Sequence, residues 1–97
     1  MIPYSFHPDA EADLEGAASF YESRMEGLGR SFAAEVDCAI SLIRERPDVG
    51  SPVWSTCRRV LVHRFPYSII YKHDAGSVLI FAIAHQRRRP ESWQRRT

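Results

Sequence analysis

Seven consecutive apolar residues, Val78 to Ala84, constrain this chain of 97 residues more than any other segment. The run falls far short of the roughly 20 residues a membrane-spanning helix needs. The turn signal Asp74-Ala75-Gly76 just before it marks Ser77 to His85 as a β-strand. Alternation along that strand sends Leu79, Phe81 and Ile83 to one face and Val78, Ile80, Ala82 and Ala84 to the other. Both sets are apolar, so the strand belongs inside a sheet that is covered on both sides.

One cover is legible upstream. Ala10, Leu14, Ala17, Tyr21 and Met25 recur every three to four residues behind Pro8, a residue suited to a first helical turn. A second stripe, Leu28, Phe32, Val36, Ala39, Ile40 and Ile43, follows Gly27 and ends at Pro47. Two amphipathic helices joined by a tight glycine turn predict an antiparallel helical hairpin. Arg59 to Phe65 and Tyr67 to His73 read as two further strands separated at Phe65-Pro66, with Tyr67, Ile69 and Tyr71 in one layer. Met1 to Phe6 reads as a weaker strand, with Pro3 favouring a sheet edge. Asp48 to Thr56 reads as a loop. The expected order is β-α-α-β-β-β, an α+β fold in which the hairpin packs on a mainly antiparallel sheet, with residues 1–97 forming one domain. The opposite sheet face falls to the tail, the long loop or another protein, and Trp93 is expected to fold back over it or to serve as an exposed anchor.

Charge is the next constraint. Residues 1–50 carry 4 basic and 10 acidic side chains, a balance of −6, whereas residues 51–97 carry 9 and 2, a balance of +7. Twelve of the thirteen basic residues are arginine, whose planar fork grips carboxylates and phosphates through paired hydrogen bonds. Such asymmetry points to an anionic partner or to an internal acidic–basic contact. The candidate patch gathers Arg58, Arg59, Arg64, Arg87, Arg88 and Arg89 at strand ends and in the tail, interleaved with aromatic rings including Trp93.

Several chemistries lack their residues. Four scattered histidines without paired cysteines predict no metal site, and no glycine-rich phosphate loop is present, so no cofactor is expected. Cys38 falls within the second helix as an interior residue, Cys57 is the one open to exposure, and nothing in the sequence assigns it a base. No secretory signal or membrane segment is visible and only two cysteines are present, which together point to a reduced, cytoplasmic protein. His85 ends the apolar strand and opens the arginine run, where it could act as a base or simply be satisfied by backbone groups.

At these residues the chain resembles the ParE branch of the RelE/ParE superfamily, the toxins of bacterial type II toxin–antitoxin pairs, which include plasmid stabilisation proteins. The most specific pieces are Arg64-Phe65-Pro66-Tyr67 and the stretch Ala84-His85-Gln86-Arg87-Arg88-Arg89-Pro90 with Trp93. The helical hairpin agrees, so the likeness spans nearly the whole chain. The resemblance implies a growth-inhibiting toxin neutralised by a cognate, ParD-like or other small antitoxin. ParE-like members poison DNA gyrase, whereas RelE-like members cut mRNA on the ribosome. For gyrase binding, the target-binding candidates are Arg58, Arg59, Arg64, Arg87, Arg88, Arg89 and Trp93. For the antitoxin they are Leu14, Tyr21, Phe32, Val36, Arg59 and Arg87.

A ribonuclease needs groups to take and return protons, and their loss costs about 10²–10⁴ in rate. Where the RelE-like pattern has an arginine after Tyr67, this chain has Ser68. Where it has a tyrosine near the C-terminus, this chain has Trp93, whose indole N–H does not titrate in this way. Arg59 and Arg87 match cationic positions of that pattern, so a ribonuclease built on His85, Arg59 and Arg87 is the alternative. A small nucleic-acid-binding module is a third possibility. Binding without catalysis is the expectation that fits best.

Overall fold

The computed structural model describes residues 1–96. Strand β1 (Tyr4–Phe6) leads into helix α1 (Pro8–Arg24). Pro8 occupies the first turn, and the His7 ring nitrogen Nδ1 accepts the Asp9 amide at 3.0 Å, capping the helix. Helix α2 (Leu28–Glu45) begins after Gly27, which sits at φ 85°, a left-handed conformation that suits glycine. Glu22 closes this turn from the preceding helix. Its carboxylate accepts the amides of Gly27 and Gly29 at 2.8 and 3.0 Å, satisfying orphan donors at the start of α2. Gly29 also lets the helices approach, since a β-carbon there would collide with the Ala18 carbonyl.

The sheet has five strands in the order β1-β5-β4-β3-β2, where β2 is Ser51–Trp54, β3 Cys57–Leu61, β4 Tyr67–Asp74 and β5 Ser77–His85. Only β1 with β5 is parallel. The α+β arrangement is the expected one, with one strand more. Part of the loop expected over Asp48 to Thr56 is β2, an edge strand whose residues are all exposed. It lacks the alternation that betrays a strand, and Pro52 is tolerated because an edge leaves one side unpaired. Strand β3 starts earlier than expected, with Cys57 pairing to Trp54 and Lys72, and stops earlier, before the turn into Phe65-Pro66 where Arg64 adopts a positive φ of 73°.

Strand β5 also departs from strict alternation. Ile70 pairs with Ala82 and Tyr71 with Ile80, so Phe81 is an extra residue, a β-bulge. A one-residue insertion reverses the facing of everything beyond it. Val78, Ile80 and Ile83 therefore share the hairpin face with Phe32, Val36, Ile40 and Ile43, and Phe81, Ala82 and Ala84 share the opposite face with Ile70 and Cys57. Ile83 and Phe81 thus lie on opposite faces, contrary to the sequence pattern. The second face is covered in part by the tail, where the single turn α3 (Glu91–Gln94) buries Trp93 against Phe81 and Trp54. Lys72 lays its ammonium over the Phe81 ring, 4.4 Å from the centroid.

Tyr71 ties the sheet to the segment that leaves α2. Its hydroxyl accepts the Gly50 amide at 2.9 Å and donates to the Pro47 carbonyl at 2.7 Å. Gly50 packs so closely that a β-carbon would lie 2.7 Å from this hydroxyl. Tyr71→Phe removes both bonds and strands two backbone groups, so the urea midpoint is expected to fall by the equivalent of about 2 kcal/mol with an unchanged slope.

Candidate functional site

The second sheet face carries the candidate site. Residues of β3 and β4 form its floor and the tail forms one wall, giving an open cleft of about 160 Å³. Ile70, Ala84, Val53, Pro90 and Trp93 supply apolar surface, and Arg59, Ser68, His85, Gln86 and Arg88 supply polar groups. None of these lining residues is acidic. Arg59 is exposed at the centre of β3 and, among the described residues, has no carboxylate or hydrogen-bond partner. Arg87 and Arg89 stand exposed and unpartnered in the same sense, outside the cleft lining.

The other expected arginines are engaged elsewhere. Arg58 lies on the hairpin side of β3 and donates to the carbonyls of Gly50 and Asp48 at 2.7 and 3.3 Å, holding the segment before β2. Arg64 faces Glu35 at 3.8 Å and sits over the Phe65 ring at the far end of the hairpin. Arg88 donates to Asp13 at 3.1 Å and is half-buried. The six arginines therefore do not make one surface. Arg59 and Arg88 both border the cleft, Arg88 with its guanidinium on Asp13, Arg87 and Arg89 flank it along the chain, and Arg58 and Arg64 serve the scaffold.

The apolar candidates divide in the same way. Phe32 and Val36 are fully buried between hairpin and sheet, and Trp93 is buried in the second layer, so none offers a surface to a partner. Leu14 and Tyr21 are half-buried. Tyr21 joins Phe32, Phe65 and Tyr67 in an aromatic cluster with centroids 5.0–6.0 Å from its own, and burial raises its phenol above the ordinary range. Large apolar side chains that do reach solvent include Phe20 and Met25 near the hairpin tip and Leu61, Val53 and Trp54 beside the cleft, with Met1, Tyr4, Leu42 and Val49 elsewhere.

His85 has the wrong geometry for a base. Its Nδ1 accepts the Arg87 amide at 3.0 Å, and its ring lies edge-on to Tyr67 with centroids 5.2 Å apart. A neutral imidazole with Nδ1 engaged as acceptor carries its proton on Nε2, leaving no lone pair for proton abstraction. His85 and Arg59 do line one cleft, but Arg87 does not join them there. The cysteines reverse the expectation, since Cys38 is exposed on α2 whereas Cys57 is buried with Trp93 and Phe81 on the second face. Burial pushes the Cys57 thiol up, against a smaller lowering by Lys72, which makes it a poor nucleophile. Among the described residues no group of three His, Cys, Asp or Glu could hold a metal ion, and no helix is long and apolar enough to cross a membrane.

Two residues absent from the sequence-based candidates position the cleft wall. The Asp13 carboxylate takes two bonds from Arg96, at 2.8 and 3.0 Å, one from Arg88 at 3.1 Å, and the Ile83 amide at 3.0 Å. Arg96, whose side chain is 7% exposed, also donates to the Phe81 carbonyl at 3.1 Å. The signal for Asp13 was present in the sequence, as an acid set within the stripe of Ala10, Leu14 and Ala17. Arg96 gave none, being one arginine among many.

Burial pushes the Asp13 carboxyl up, but the bonds from Arg96, the Ile83 amide and Arg88 together outweigh it and hold the group below its ordinary value. A carboxyl depressed in the folded state contributes stability above its unfolded pKa and loses it as the pH falls through the folded value. Tail docking is therefore expected to fail below the ordinary carboxylate range, read as a red shift of Trp93 emission in a Trp54→Phe chain. Asp13→Ala, which leaves Arg96 buried without its partner, is expected to cost about 3 kcal/mol in denaturant unfolding.

Residues 4–90 match the family model described as the ParE toxin of the type II toxin–antitoxin system, parDE. Among curated proteins no match is found. A solved chain of the chromosomal ParDE TA system from P. aeruginosa superposes with a TM-score of 0.65 at 20% identity, covering 88% of this chain and 96% of that one. At that identity the likeness speaks for the fold. The family match runs from β1 through hairpin, sheet and cleft into the tail, and the chain belongs to the ParE toxin family of type II toxin–antitoxin systems.

Proposed function

We propose that this chain is a cytoplasmic growth-inhibiting toxin that acts by binding, with DNA gyrase as its target, and that a ParD-like antitoxin holds it inactive. The observation that carries the reading is the second sheet face, an open cleft with an unpartnered Arg59 and no acidic residue in its lining. Arg59, Arg87 and Arg89 are the target-contacting cations, and Arg88 borders the cleft while anchored to Asp13. The antitoxin covers Leu14 and Tyr21 along α1 together with the exposed Phe20 and Met25, and it lays acidic residues against Arg59 and Arg87. Phe32 and Val36 act only from within, by holding the hairpin in place. Apolar surface beside unpaired cations is the composition of a partner site.

Purified chain is expected to inhibit supercoiling by gyrase at micromolar concentration, and Arg59→Ala is expected to raise the half-inhibitory concentration about tenfold, as for a central arginine in an interface. Absence of inhibition by the unaltered chain would remove gyrase as the target. A ribonuclease in which the His85 Nε2–H returns a proton and does not take one is the second reading, since His85 and Arg59 both border the cleft. Codon-specific mRNA cuts on programmed ribosomes, abolished by His85→Ala, would replace the binding mechanism with that one.

A further inference from the structure

The chemistry of the cleft specifies its ligand more narrowly than the cationic surface does. Its lining brings together the exposed Arg59 and the hydroxyl-bearing Ser68 on the second sheet face, with no carboxylate among the lining residues. The Ser68 side chain is nearly buried and, among the described residues, makes no hydrogen bond, so its O–H is available to a ligand. Arg88 borders the cleft, but its guanidinium is engaged by Asp13. Arg59 is free. Donors so gathered call for an anion that accepts several hydrogen bonds at once.

Size and wall chemistry separate the anions. A cavity of about 150 Å³ holds one benzene ring, and this cleft measures about 160 Å³. The floor of the cleft therefore has room for a carboxylate on a short side chain. Half of the lining, Ile70, Ala84, Val53, Pro90 and Trp93, is apolar, which favours an acidic side chain flanked by apolar residues over a heavily hydrated phosphate. Leu61, 58% exposed two positions along β3 on the same face as Arg59, extends this apolar surface beyond the cleft.

We propose that the cleft is a carboxylate receptor, taking an Asp or Glu side chain of a protein partner at Arg59 and Ser68 while the adjoining apolar residue of that partner packs on the exposed Val53 and Pro90. This rests on the reading of the second face as the partner-binding face, and it adds the chemical group recognised there. Benzoate is the probe, with benzamide as its uncharged counterpart and inorganic phosphate as the competing anion, each titrated into isotope-labelled chain by NMR. Benzoate is expected to shift the Ser68 and Ile70 amides and the Trp93 indole N–H, and to bind at least tenfold more tightly than benzamide. Arg59→Gln is expected to weaken benzoate about tenfold, and Ser68→Ala to weaken it severalfold without shifting the unfolding midpoint.

Equal binding of benzoate and benzamide would overturn the proposal by making the cleft merely apolar. Tighter binding of phosphate at the same resonances would overturn it in favour of a nucleic-acid ligand. Benzoate binding that survives Arg59→Gln, or no shift at these residues, would overturn it outright. No step involves gyrase or growth, so loss of the gyrase reading and loss of the receptor are separately visible.

Discussion

Asp13 is a charged residue on a helix stripe otherwise made of alanine and leucine, and it would be a defect there if its partners were removed. Strand β1 pairs only with Val78, Leu79 and Ile80, so β5 runs on beyond its neighbour with an unpaired edge. Backbone groups at a covered edge must find partners. The Asp13 carboxylate accepts the Ile83 amide, and Arg96 donates to the Phe81 carbonyl. The ion pair thus does for this part of β5 what a longer β1 would have done. A buried ion pair is weak evidence of net stability, because desolvation offsets much of its attraction. Its consequence here is positional. An apolar pair of the same volume could fill the space, but it could satisfy neither edge group, and it would not fix where the tail crosses the sheet.

From that fixed point the cleft follows. Arg96 brings the tail back over the second face, Trp93 drops onto Phe81, and Pro90 and Trp93 become a wall opposite Arg59. The bulge at Phe81 contributes by turning both Phe81 and Ala82 toward the tail. With strict alternation from Ile80 onward, Ala82 and Ala84 would face the hairpin, and Ile83 would leave the hairpin core for the second face. The scaffold and the site are therefore coupled through two local irregularities, one bulge and one acid.

Much of this was legible in the sequence, for identifiable reasons. The hairpin declared itself because Phe32, Val36, Ile40 and Ile43 repeat at helical spacing, and the interior position of β5 because both its faces are apolar. Folding back of Trp93 follows from the need to cover the second face. What stayed hidden depends on pairing between distant residues. Strand β2 has four exposed residues and a proline, so only its partner β3 identifies it. The bulge leaves no mark in a run where every residue is apolar. The cationic candidates were the least legible, since Arg58 and Arg59 are adjacent yet point to opposite faces, one to backbone carbonyls and one to solvent.

That last contrast also explains why the acidic half of the chain does not neutralise the basic half. Among the described residues, Asp9, Asp13 and Glu35 are the acids of the first half that reach arginines of the second, and they engage Arg96, Arg88 and Arg64. The remaining acids of the hairpin are separated from Arg59 by a layer of side chains and the sheet itself, a thickness of about 10 Å. Exposed charges that far apart are largely screened at physiological salt, where the Debye length is about 8 Å. The charge asymmetry written along the chain becomes an asymmetry between two faces. Among the described residues Arg59 remains uncompensated because the sheet stands between it and the hairpin's carboxylates, which leaves its charge open to a molecule arriving from outside.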